Sequence, residues 1–163
     1  MGQVKQRIYY RCLQNKNANI QESSKLSFFR QVYKMDQRPS YVDSITNLND
    51  RAALCKIRIS AHPLMIERGR HLNIPRDERY CPVCKNGETK DEQHFLLKCH
   101  RFTSKREILE NKINVIFQIQ RNITVDEKIS LLVNNSSALL LRLSSSFISE
   151  YLNIRNYYYS DII

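Results

Sequence analysis

Residues 81–99 read CPVCKNGETKDEQHFLLKC and place three cysteines and one histidine at the spacing C-x2-C-x9-H-x4-C. The four residues are Cys81, Cys84, His94 and Cys99. Zinc binds thiolate and imidazole ligands in a tetrahedron, and a C-x2-C pair followed closely by histidine and cysteine is typical of such sites. Four protein ligands leave no open coordination position, so the pattern predicts a structural zinc site. The alternative is a chance grouping that binds no metal.

Two other cysteines and three other histidines lie outside this set. His100 is an alternative histidine ligand, but it would make two adjacent residues ligands of one ion, which is an awkward geometry. His62 and His71 are expected to be structural or solvated. Cys12 and Cys55 lie in helical patterns without a cysteine nearby, so we expect them to be core thiols.

Composition limits the class of protein. A chain of 163 residues suits one domain, and only three glycines and four prolines argue against a turn-rich β-protein. Five cysteines, an odd number, suit a reducing compartment, so we expect an intracellular protein. The longest apolar run, residues 138–141, is far too short to span a membrane. We therefore expect neither a membrane nor a small-molecule substrate as a partner.

Helical spacing of apolar residues predicts an all-α fold, a small helical domain with an irregular CCHC loop pinned by zinc. Residues 1–48 are expected to form basic N-terminal helices, residues 49–105 the zinc-binding core region, and residues 106–163 the C-terminal helices. Together they are expected to form one compact domain with frayed ends, the C-terminal tail fraying from Asn156.

Several residues are predicted to begin or end helices. Capping boxes, in which Ser or Thr is followed three residues later by Glu, predict three helix starts. They lie at Thr89, Ser104 and Thr124. Ser136 or Ser137 is expected to cap the last helix. Gly69 is expected to end a short helix that begins at Leu64.

Positive charge is concentrated before the cysteines. The net charge is +10, and residues 1–50 hold eight Lys/Arg against four Asp/Glu while residues 51–80 hold seven against three. Such a basic half-chain is typical of proteins that bind a phosphate backbone. The candidate phosphate contacts are Arg51, Lys56, Arg58, Arg68, Arg70, Arg76 and Arg79. The alternative is that these charges only solvate helices.

A helix is predicted over residues 51–61, with a cap at Asn49 or Asp50. It includes two of these arginines. Its apolar stripe at Leu54, Ile57 and Ala61 predicts that Arg51 and Arg58, seven residues apart, share an exposed line.

Several sequence blocks together resemble a known family. They are KIRISAH at 56–62, IERGR at 66–70, Arg79-Tyr80-Cys81, DEQHFL at 91–96, and Cys99. Between about Leu26 and Ile108 the chain resembles the C-terminal zinc-binding region of non-LTR (LINE-type) retrotransposon polyproteins, which lies downstream of their reverse transcriptase. The resemblance implies a region that helps hold template RNA or target DNA beside the polymerase.

The resulting expectation is a zinc-stabilised module that binds an RNA or DNA backbone. The chain is expected not to be an enzyme, because it has no polymerase body and no set of paired carboxylates for two-metal phosphoryl chemistry. Two alternatives stay open. One is a helical protein-interaction or scaffold domain with purely structural zinc, and the other is a retroelement fragment without a function.

Overall fold

The computed structural model describes residues 2–32, 39–118 and 123–160. Within these ranges the secondary structure is helical and contains no β-strand, which confirms the predicted all-α fold. The α-helices are α1 (Gly2–Glu22), α2 (Ser27–Val32), α3 (Tyr41–Ser44), α4 (Leu48–Arg58), α5 (Met65–His71), α6 (Thr103–Phe117), α7 (Val125–Val133) and α8 (Ala138–Ser160). None of the helices in these ranges has the length and apolar character that crossing a membrane requires.

Helix α8 is the centre of the packing and contacts α3, α4, α6 and α7. Three apolar residues at helical spacing along it, Leu140, Phe147 and Tyr151, are buried. The tail expected to fray from Asn156 continues as helix to Ser160, and residues 161–163 lie outside the described ranges. An α-helix that meets four others along its length organises one shared core.

The start of α4 differs from the prediction by a few residues. Asn47, rather than Asn49 or Asp50, is the cap, because its side-chain oxygen accepts the backbone N–H groups of Asn49 at 2.9 Å and Asp50 at 3.2 Å. The predicted core positions Leu54 and Ile57 are both fully buried. Asparagine is among the preferred capping residues, so the shift exchanges one good cap for another.

Gly69 does not end a helix, so that prediction is wrong. It lies inside α5, and a Cβ atom built there would lie only 2.6 Å from Cγ of Arg79. Arg79 crosses the helix at this point and donates hydrogen bonds to the carbonyl oxygens of Ile66, at 2.7 Å, and Ile74, at 2.9 Å. Glycine is therefore needed for close approach and not for a left-handed turn.

The other capping predictions have mixed outcomes. The capping box of Thr124 and Glu127 at the start of α7 is confirmed in both directions. Ser137 is one of the two predicted caps of α8, and its side-chain oxygen accepts the backbone N–H of Leu140 at 3.4 Å. The predicted Ser104 capping box is wrong, because α6 begins at Thr103 and Phe102 occupies the cap position.

Candidate metal centre and basic residues

The first two cysteines lie in a tight turn at the start of the metal loop, which we define as residues 79–99. The backbone N–H of Cys81 donates to the carbonyl of Glu88 at 3.0 Å and closes the turn. Within it, Lys85 and Gly87 adopt positive φ angles of 54° and 78°. The turn brings the side chains of Cys81 and Cys84 into the same cluster.

The other two candidate ligands are held by a short helical turn. Its wide π-type hydrogen bond joins the N–H of Cys99 to the carbonyl of His94 at 2.7 Å. Asp91 caps this turn, since its carboxylate accepts the N–H of His94 at 2.7 Å. The predicted capping box of Thr89 and Glu92 is therefore wrong.

Glu92 has a different role because it is buried between the metal loop and the end of α4. Its carboxylate accepts hydrogen bonds from Ser60 Oγ at 2.5 Å and from His62 Nε2 at 2.9 Å. Burial alone would raise the pKa of Glu92, but the hydrogen bonds and charge of its partners hold it below the ordinary value. The backbone N–H of Leu64 donates to His62 Nδ1 at 3.2 Å, so both ring nitrogens are occupied.

The four predicted ligands meet in space. Their ligand atoms all lie within 4.8 Å of one another. The Sγ atoms of Cys81 and Cys99 are 4.0 Å apart, and Cys84 Sγ is 3.4 Å from His94 Nε2. Around a tetrahedral zinc ion, sulfur atoms would be separated by about 3.8 Å and sulfur and nitrogen by about 3.6 Å. The cluster therefore has the donor set and the spacing of a four-coordinate metal site.

The sulfur atoms interact strongly with one another. Hydrogen bonding with Cys99 holds the pKa of Cys81 well below its ordinary value, and the His94 side chain acts in the same direction. The same hydrogen bond, followed by burial, raises the pKa of Cys99. Burial also raises the pKa of Cys84. A metal ion at this position would bind all three sulfurs as thiolates.

Glu88 supports the histidine ligand and was not among the predicted site residues. Its carboxylate lies 2.8 Å from His94 Nδ1, so Nε2 is the nitrogen that faces the sulfurs. The hydrogen bond from His94 lowers the pKa of Glu88. Carboxylate partners of this kind fix the orientation of metal-binding imidazoles. Its one signal in the sequence is an acidic residue six positions before the histidine.

Arg58 is not a surface residue, so the predicted exposed line with Arg51 is wrong. Its side chain is buried, lies 5.1 Å from the ring centroid of Tyr41, and donates to the carbonyl of Val133 and to Oδ1 of Asn134 at 2.9 Å. Burial lowers the pKa of its guanidinium. Arg58 therefore ties α4 to the end of α7 and is unable to contact a phosphate.

The other candidate contacts fall into two groups. Lys56 and Arg76 are exposed. The other four candidate side chains are partly buried, and they are Arg51, Arg68, Arg70 and Arg79. Arg51 donates to the carbonyl of Val42 at 3.1 Å, and Arg70 pairs with Glu67 at 3.0 Å. Ala61, which was predicted to be buried with Leu54 and Ile57, is exposed.

The remaining cysteines and histidines lie outside the metal cluster. Cys12 is exposed, so its predicted core position is wrong, and Cys55 is half-buried. His71 and His100 are exposed.

No protein-family model, curated protein or solved structure matches this chain. The resemblance to the retroelement region thus stays a prediction from the sequence blocks.

Proposed function

We propose that this chain is a zinc-stabilised nucleic-acid-binding module, similar in role to the region downstream of a retroelement reverse transcriptase. The observation that supports it most is the convergence of Cys81, Cys84, His94 and Cys99, whose ligand atoms all lie within 4.8 Å of one another. Three thiolates and one imidazole favour zinc among the divalent ions of cells and leave no position for a substrate.

Zinc would act on the fold of the metal loop. Its four ligands come from two short turns that are separate in the sequence. The first turn is followed by a backbone contact to α5, because Ile66 N–H donates to the carbonyl of Lys90 at 3.0 Å. Metal binding would therefore fix the loop against α5, where several of the basic residues lie.

The basic residues of α5 form the surface that best suits a phosphate backbone. Lys25, Arg68 and His71 line one cavity of about 460 Å³, whose wall also includes Glu67 and Leu72. Arg70 lies beside His71, with 3.3 Å between the guanidinium and the imidazole. Side chains of this kind favour contacts to phosphate that are independent of base sequence.

The test is binding of the zinc-loaded protein to unrelated single-stranded RNA and duplex DNA sequences across a salt series. The charge reversals Lys25→Glu and Arg68→Glu, at two residues that line this cavity, are expected to weaken binding similarly for all sequences. Each lost phosphate contact should reduce the log–log salt slope by about 0.7–0.9. Lys112→Glu is the matched control, because it makes the same charge change at an exposed position on α6. Equal affinity of the two reversals and wild type would contradict nucleic-acid binding by this surface.

The proposal includes no catalytic activity of this chain. Two-metal phosphoryl transfer needs paired carboxylates that hold magnesium ions. Among the described residues, the Cys3His cluster is the group of metal-ligating side chains that lies close enough to hold an ion. Magnesium-dependent primer extension or nucleic-acid cleavage by the pure protein, abolished by a point substitution in it, would contradict this part of the proposal.

A protein-interaction role is the second candidate, and one observation favours it. Helix α6 exposes Ile108, Val115 and Ile116, which lie at helical spacing along it. Exposed apolar side chains in a row are typical of protein contact sites. If this role is correct, nucleic-acid binding will be weak and insensitive to the charge reversals, and substitutions on α6 will alter association with a protein.

A further inference from the structure

The candidate metal centre raises a problem of buried charge. Cys81, His94 and Cys99 are buried to 2% exposure or less. With a divalent ion, three thiolates and a neutral imidazole leave one net negative charge at this position. A buried charge is costly unless an opposite charge or polar groups compensate for it.

Lys90 is the first of two cationic side chains inside the same core. Its side chain is fully buried, and its Nζ atom lies 5.5 Å from the ring centroid of Phe102. The backbone N–H of Phe102 in turn donates to the carbonyl of Cys99 at 3.1 Å. After the hydrogen bonds of Cys81 with Cys99 and His94, the charge of Lys90 also contributes to the lowered pKa of Cys81.

Arg106 is the second buried cation, and it approaches from α6. Its side chain donates from Nη2 to the carbonyl of Cys99 at 2.8 Å and from Nε to the carbonyl of Leu96 at 2.9 Å. These bonds hold the backbone of one ligand in place. Burial lowers the pKa of Arg106, and the charge of Cys99 opposes that effect.

The buried part of the loaded site then carries one negative charge, and Lys90 and Arg106 are two cations buried beside it. We infer that Lys90 and Arg106 are buried counter-charges that stabilise the metal-loaded centre and make the folded metal loop depend on metal. This inference rests on the metal-binding part of the proposed function and not on nucleic-acid binding.

Two consequences of opposite sign separate this role from ordinary core packing. Replacing Lys90 with methionine keeps most of its volume but removes its charge, so the metal-loaded site loses a counter-charge. The metal-free protein, in contrast, lacks the anionic metal site, so the replacement removes an ammonium group whose burial without that counter-charge is costly. A side chain that only filled space would instead change metal-loaded and metal-free stability in the same direction.

The experiment measures zinc affinity by chelator competition, and urea unfolding in excess chelator, for wild type and Lys90→Met. The expected result is an affinity at least about tenfold weaker, because one charge acts in a poorly screened interior, with an unchanged or higher metal-free unfolding midpoint. Lys98→Met is the matched control, since it removes an exposed lysine next to Cys99. We expect it to change zinc affinity by less than about twofold.

Three outcomes would overturn the inference. A Lys90→Met protein that binds zinc as tightly as wild type removes the counter-charge role while leaving the metal centre intact. An equal loss of affinity in Lys98→Met reduces the effect to general electrostatics. Wild-type protein that binds no zinc overturns the metal centre and this inference together. Should Lys90→Met fail to fold, Lys90→Gln and Arg106→Met are measured in the same way, and unchanged affinity in both would be equally decisive against it.

Discussion

Replacing Gly69 with alanine has two opposing effects on the free energy of unfolding. Gly69 lies inside α5, and alanine is favoured over glycine within a helix by about 1 kcal/mol. Against this, the new Cβ atom would lie 2.6 Å from Cγ and 2.9 Å from Cδ of Arg79. Since both distances are well below van der Waals contact, the Arg79 side chain has to move.

That movement is costly because the clash falls in the middle of the Arg79 side chain and not at its free end. The guanidinium is held by its hydrogen bonds to the carbonyl oxygens of Ile66 and Ile74. Overpacking costs about 1–3 kcal/mol, and each lost hydrogen bond from a charged donor costs about 1.5–3 kcal/mol. With one of these hydrogen bonds lost and the helix gain subtracted, we expect Gly69→Ala to destabilise the zinc-loaded protein by about 1.5–5 kcal/mol.

A double-mutant cycle measured by urea unfolding at saturating zinc tests this reasoning. In an Arg79→Ala background the clash is absent, so Gly69→Ala should become neutral or stabilising by up to about 1 kcal/mol. The expected reversal of sign separates the steric effect from helix propensity. Stabilisation by Gly69→Ala in the wild-type background, or the same effect in both backgrounds, would refute the steric role of this glycine.

Three further predictions concern the buried cation of α4, the histidine partner and the metal itself. Arg58→Met should destabilise the fold by about 2–4 kcal/mol, because it leaves the Val133 carbonyl without its donor. The affinity of the folded variant for nucleic acid should stay within about twofold of wild type. A large loss of affinity would indicate that Arg58 contacts nucleic acid. Glu88→Gln should weaken zinc affinity by about tenfold or more in chelator competition, because the His94 ring loses its ionic partner; unchanged affinity would contradict this role. Removing metal with a chelator should increase hydrogen exchange in the metal loop more than in α8, whereas a uniform increase would contradict local control by metal.

Local sequence signals predicted the features that depend on neighbours in the chain. The four metal-site residues converge as their spacing implies, because each pair lies within one short turn. The capping box of Thr124 is likewise formed by residues three apart. In both cases the interacting groups are close in sequence, and the local contacts are the ones that form.

Features that depend on distant residues were missed. Arg58 was expected at the surface, but the end of α7, 75 residues later, offers it carbonyl and amide acceptors. Glu92 was expected to cap a helix, but Ser60 and His62 recruit its carboxylate from about 30 residues away. Gly69 matches the pattern of a helix end, and nothing in the sequence shows that Arg79 crosses α5 there. Each error follows from a tertiary contact that overrides a local preference.

Native mass spectrometry of the purified protein tests the metal centre most directly. One zinc ion per chain is expected for wild type, and none for the double variant Cys81→Ser with Cys99→Ser, because the site then lacks two of its four ligands. Cys12→Ser is the matched control, since it removes an exposed cysteine outside the cluster and should retain zinc. A wild-type chain free of metal after preparation with zinc, or a double variant that still binds one ion, would contradict the Cys3His zinc site.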